Sequence, residues 1–142
     1  MATDLFTKIT IGGQELQNRM VLAPLTRGRC DPGTSEPNDL MKEYYTQRAS
    51  AGLLIAEATA ISEEGYGWVN APMISTEENA ANWKKVTDSV HEKGSKIYLQ
   101  LWHMGRQVSS AQHTTRPGYV TYISSLMALL LTTDTTIPIS KS

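Results

Sequence analysis

The spacing of apolar residues changes several times along the chain, and each change marks an element. Lys8-Ile9-Thr10-Ile11 alternates polar and apolar, Gly12-Gly13 signals a turn, and Gln14-Glu15-Leu16 returns, which predicts a short hairpin. Arg19 to Thr26 predicts a first strand. Its core, Met20 to Ala23, is continuously apolar, as in a strand buried on both faces, and Pro24 cannot donate to a ladder and should end it. Residues 30–38 read as loop. Leu40, Met41, Tyr44, Tyr45 and Ala49 recur at helical spacing and predict a helix from about Asp39 to Ala51. Asn38 or Asp39 can cap it and Gly52 can stop it. Leu53 to Ile61 reads as a second buried strand, followed by a Gly/aromatic loop from Ser62 to Pro72. Ser75-Thr76-Glu77-Glu78 has the form of a capping box, and Trp83, Val86 and Val90 make the stripe behind it. Lys93-Gly94 ends that helix, and Lys96 to His103 is a third strand.

The order is hairpin, then β-α-β-α-β. Strands alternating with helices imply parallel strands joined by right-handed crossovers. The chain has 142 residues, enough for one domain. After Gln107 the pattern breaks down. Residues 108–142 form a divergent Ser/Thr-rich tail that is expected to be poorly ordered, distinct from the unit at residues 4–107. Thirteen basic against fourteen acidic residues leave a net charge of −1, so bulk charge gives no reason to seek nucleic acid or an anionic membrane. The single cysteine, Cys30, excludes an internal disulfide and a Cys-based zinc cage, and no metal site is expected. The start of the chain lacks the basic and apolar regions of a signal peptide. Its most apolar run, Leu126 to Leu131, is far shorter than the roughly 20 residues of a membrane helix. These features fit a cytoplasmic globular protein.

Candidate chemistry gathers at the strand ends. On the third strand, Ile97, Leu99 and Leu101 share one face, and Tyr98, Gln100 and Trp102 the other. Gln100 either bonds neighbouring backbone or reads a flat heteroaromatic ligand, and spacing alone favours the first. Ala23-Pro24-Leu25-Thr26 would let a ring approach the backbone and offers a hydroxyl, but an ordinary strand-to-loop transition gives the same pattern. Ala56 and Ala58 share a parity on the second strand and leave room beside it. Glu57, on the opposite parity, needs a cation, which Arg27, Arg29 or Arg48 could supply in a structural ion pair. His91 reads as a solvated surface residue, His113 falls in the tail, and His103 stands at a strand end, free to bond backbone or to do chemistry. Gly65-Tyr66-Gly67-Trp68 follows a strand but lacks dinucleotide-site spacing.

Longer motifs carry a resemblance. They are Leu5-Phe6, Asn18 to Arg27, Tyr44 to Gly52, Glu57-Ala58-Thr59, Trp83 to Thr87, Val90-His91 and Gln100 to Arg106. In this order and spacing, over residues 4–107, the chain resembles the old yellow enzyme family of FMN-dependent ene-reductases. The resemblance implies an α/β fold, the N-terminal part of a TIM (β/α)8 barrel, with the hairpin closing its bottom. It implies FMN at the strand ends, with NAD(P)H as reductant. Ala23, Pro24, Leu25 and Thr26 would be first-strand flavin contacts, the threonine hydroxyl bonding a flavin carbonyl. Ala58 would be a flavin contact on the second strand, and Gln100 the amide at the pyrimidine edge. Trp68 and Trp102 would border the substrate pocket.

The implied activity is reduction of activated C=C bonds in a small α,β-unsaturated carbonyl or nitro compound. The family's oxygen-gripping His/His or His/Asn pair, its proton-donating tyrosine, its flavin-contacting arginine and its phosphate-binding loops lie in later strands. No catalytic residue is therefore assigned within this chain, and His103 is not one of the gripping pair. A barrel of this kind needs eight strands and about 250 residues, so the chain is expected to hold a truncated part of it and to lack activity alone. The alternatives are a non-catalytic half-barrel acting as an assembly partner, and a small metabolite-binding module built on Gln100, Trp68 and Trp102. The oligomeric state is left open.

Overall fold

The structure is a computed structural model and describes residues 4–107 together with Ala128 and Leu129. The hairpin forms where the alternation predicts it. Strands β1 (Ile9–Ile11) and β2 (Gln14–Leu16) run antiparallel, with Ile9 opposite Leu16. Gly12 and Gly13 adopt φ of +56° and +80°. A two-residue turn with both φ positive follows the twist of its strands, and glycine enters it without a Cβ penalty.

β3 is only Val21–Leu22, shorter than the apolar run that predicts it. It pairs in parallel with Leu53 and Leu54 of β4 (Leu53–Ala60). It is not buried on both faces, since Val21 is 48% exposed. Among the described residues β3 has a neighbour on one side only, so its other edge lacks the cover that the apolar run calls for. β4 pairs in parallel with β5 (Lys96–Trp102), and the sheet order is β3-β4-β5-β6. β6 is Ala128–Leu129, antiparallel to β5, and has no counterpart in the sequence reading. Apart from these two residues, the tail expected over 108–142 lies outside the described residues. The parallel strands alternate with two helices in the βαβαβ order, forming part of a barrel wall rather than a closed barrel.

Helix α1 (Asp39–Thr46) starts at Asn38, whose side-chain oxygen accepts from Met41 N at 3.1 Å. It stops short of Ala51, and residues 48–51 continue as tight turns, with Arg48 N donating to Tyr45 O and Ala51 N to Arg48 O. The cause lies far away in sequence. Gln17 Nε2 donates to the carbonyls of Ala49 and Ala51, Asn18 Nδ2 to that of Ser50, and Ser95 Oγ to that of Ala51. Tertiary donors thus satisfy carbonyls at the helix end that would otherwise lack partners. Helix α2 (Glu77–His91) is capped by Thr76, one residue later than the box at Ser75 suggests; Thr76 Oγ1 accepts from Asn79 N at 3.1 Å. It is the longer of the two α-helices among the described residues and, at 15 residues, too short to cross a membrane.

The two helices pack on each other and cover one face of β4 and β5. The core joins Met41, Tyr45 and Ala49 to Trp83, Val86 and Val90, over Leu54, Ala56 and Ile97. Trp83 keeps its indole N–H satisfied by donating to Met73 O at 3.2 Å. This wall fixes the C-terminal ends of the strands, where the candidate residues stand.

Candidate functional site

A bulge in β4 arranges the site. Ile55 lies opposite Tyr98 and Ala58 opposite Gln100, so Ala56 and Glu57 together face Leu99. The extra residue breaks the alternation on which the sequence reading relied. Ala56 does not share the face of Ala58; it is fully buried in the helix-packed core. Glu57 turns toward α1, where the Tyr45 hydroxyl donates to Oε2 at 2.9 Å and accepts from Glu57 N at 2.9 Å. Past the bulge, Ala58 stands in register with Gln100, and Ala60 with Trp102. Alanine at both positions places only a methyl group beside the amide and the indole.

The remaining candidates lie at the same end of the sheet. Ala23 and Leu25 are exposed, Pro24 and Thr26 half-buried. Ala58 is buried, while Gln100 and Trp102 are half-buried. Trp68 is 51% exposed and its ring lies 6.4 Å from that of Trp102, tilted by 47°. Arg27 is the cation that Glu57 requires. Its guanidinium pairs with Oε2, and its backbone N–H donates to Oε1 at 3.2 Å. Arg48 instead lies over the Tyr44 ring, 3.6 Å from its centroid.

Backbone bonds tie together the loops that follow the strands. Cys30 N donates to Asn70 O at 3.1 Å, joining the loop after β3 to the loop after β4. Met104 N donates to Gly65 O at 3.0 Å, joining the loop after β4 to the turn after β5. At Gly65 a Cβ would meet the His103 ring at 3.0 Å, so a larger residue there would have to push the ring aside. The stretch Gly65-Tyr66-Gly67-Trp68, which lacks dinucleotide-site spacing, packs here against the turn after β5. His103 settles on backbone: its Nδ1 accepts from Gly105 N at 3.0 Å. His91 is exposed, and partial burial of its ring with Lys96 nearby holds its pKa below the usual histidine range. His113 lies outside the described residues.

The sequence profile of the NADH:flavin oxidoreductase / NADH oxidase family matches residues 4–129. The chain belongs to this family. The match reaches past Gln107, where the motifs legible by eye stop. The chanoclavine-I aldehyde reductase of Penicillium roqueforti is 46% identical over 129 residues, covering 89% of this chain and 35% of its own length. The 12-oxophytodienoate reductase 1 of Oryza sativa subsp. japonica is 45% identical over 106 residues, which are 74% of this chain and 27% of the rice protein. Among solved structures, the old yellow enzyme homologue of Zymomonas mobilis superposes with a TM-score of 0.75 at 41% identity, covering 89% of this chain and 39% of the bacterial one. The chain thus spans about a third of the length of the curated relatives it matches.

Members of the family are FMN-dependent oxidoreductases that draw on a nicotinamide reductant. The residues at the strand ends fit the flat part of FMN. An amide and a hydroxyl can meet the alternating donors and acceptors of a pyrimidine edge, and alanine methyls leave space for a ring. None of these residues is a cation, so none of them would pair with the phosphate by charge.

Proposed function

We propose that this chain supplies the ring-binding portion of a cytoplasmic ene-reductase. The observation that carries the reading is the register of Ala58 with Gln100 just past the β4 bulge. When bound, FMN would supply hydride transfer from NAD(P)H to the β-carbon of an activated alkene, such as an enone or nitroalkene, with a proton completing the reduction at the α-carbon. Gln100 would donate and accept at the pyrimidine edge and so hold the ring. Thr26 would donate a hydrogen bond from its hydroxyl to a flavin carbonyl, which favours the reduced, more electron-rich ring. Ala23, Pro24 and Leu25 border the ring from the first strand, and Ala58 admits it from the second. Trp68 and Trp102 form an apolar wall that orients the substrate and excludes water from it.

FMN titration of the 142-residue chain tests the reading by quenching of flavin fluorescence. Saturable binding is expected, weakened about tenfold by Gln100→Leu through loss of the edge hydrogen bonds. Ala58→Leu should abolish it by placing a bulky side chain where the ring would lie. A chain that takes up no FMN, or that binds it equally well with Ala58→Leu, overturns the assignment. Among the described residues β3 pairs on one side only, which favours a second reading, a half-barrel that acts by assembling with another chain and performs no chemistry.

A further inference from the structure

Glu57 is completely buried on β4, yet nothing in the β-ladder calls for a carboxylate there. Its partners point to what it does. The β3–β4 ladder ends at Leu22 opposite Leu54. Residues 23–26 then make no hydrogen bond to β4, and the next tie is the one from Arg27 N to Glu57 Oε1. Between these two ties the first strand has four residues, 23–26, where β4 has two, Ile55 and Ala56. The segment therefore bows off the sheet, with Leu25 at its crest 65% exposed. What stops the bow from wandering is a side chain, because no ladder reaches it.

That side chain is itself held from two directions. The Tyr45 hydroxyl from α1 donates to Oε2, and the Arg27 guanidinium pairs with the same oxygen. Desolvation, then the charge of Glu57, pushes the Tyr45 phenol above its ordinary range, which keeps the hydroxyl protonated as a donor. The guanidinium lies 3.5 Å from the Tyr44 ring centroid, and that of Arg48 lies 3.6 Å from the same centroid. Two planar groups this close to one ring must take opposite faces, so Tyr44 is gripped between them. A buried ion pair is a poor device for stability alone, and Arg27 Nε is buried here without an acceptor. The arrangement makes sense as a locator.

We propose that Glu57 is the positioning residue of the bowed segment: its carboxylate fixes Thr26 and Leu25 relative to Gln100, and Arg27 and Tyr45 hold the carboxylate in place. What the segment touches rests on the FMN reading; that Glu57 anchors it does not.

Amide hydrogen exchange of the 142-residue chain, resolved by residue, tests the anchor without ligand. Glu57→Gln keeps the volume but removes the charge that holds Arg27. Exchange at the Arg27 amide should rise about tenfold, as expected for one lost charge-assisted bond, while Val86 and Val90 in α2 stay within about twofold. Tyr45→Phe removes only the hydroxyl tether and should act in the same direction, so it carries the test if Glu57→Gln does not fold. Unchanged exchange at Arg27, or a rise matched at Val86 and Val90, overturns the proposal. FMN titration then adds a readout that general destabilisation would not give. If Glu57 acts through Thr26, Glu57→Gln should weaken FMN binding several-fold in the wild-type background and by less than about twofold in Thr26→Ala. Full additivity overturns the route through Thr26. Absence of FMN binding by the wild-type chain refutes the ring-site reading alone, and the exchange result still decides the anchor.

Discussion

Cys30 shows how burial decides a residue's chemistry. It is 4% exposed, and its thiol donates to Met41 Sδ at 3.4 Å. Burial, followed by the charges of Glu57 and Asp31, pushes the thiol from 9.0 up to about 12. Iodoacetamide at about pH 8 should therefore leave the folded chain unlabelled and modify it fully in urea, as read by intact mass. The same shift has a sign in stability. The unfolded thiol ionises near 9.0 and the folded one only near 12, so the folded state binds more protons in between. Its contribution is complete below pH 9 and is lost as pH rises through that window, which urea midpoints measured across it should show. Tyr45 shifts in the same direction. At this scale the sequence was informative about need but not about geometry. A charged Glu57 among apolar neighbours announced a cation, and three arginines could have served. Only the path of the chain after β3 selects Arg27.

Among elements, the sheet and helices were legible because their periods are local. Strand β5 follows the predicted span to within a residue, and α2 carries the expected stripe of Trp83, Val86 and Val90. Two misreadings share one physical origin, which is contact between residues far apart in sequence. The end of α1 depends on donors from Gln17, Asn18 and Ser95, and the β4 bulge depends on the register with β5. Neither leaves a periodic trace. The bulge matters most for the site, since it separates Ala56 from Ala58. The cap of α2 offers a clean test at this scale. Thr76→Ala should cost about 1 kcal/mol in urea unfolding, because Asn79 N loses its acceptor. Ser75→Ala should cost less than about 0.5 kcal/mol, since Ser75 is not the cap. Equal losses would return the cap to Ser75.

At the largest scale the described residues form a wall, and among them β3 has a neighbour on one side only. Leu25, Trp68 and Val69 are each more than half exposed at the strand ends, at 65%, 51% and 62%, next to the faces that a barrel would enclose. Exposed apolar area beside an unpaired strand favours association. Light scattering of the 142-residue chain should show a mass that grows with concentration, and a strict monomer across the accessible range would count against the half-barrel reading. One further consequence follows from the bonds that pass between the loops at the strand ends. Cys30 leans on Asn70, and Met104 leans on Gly65, so three loops share one framework. An insertion in any of them would disturb the other two. The opposite pole has no such restriction, for the Gly12-Gly13 turn has open space around it. Over evolutionary time, changes in loop length should therefore collect at the hairpin, while the strand ends diversify by substitution alone.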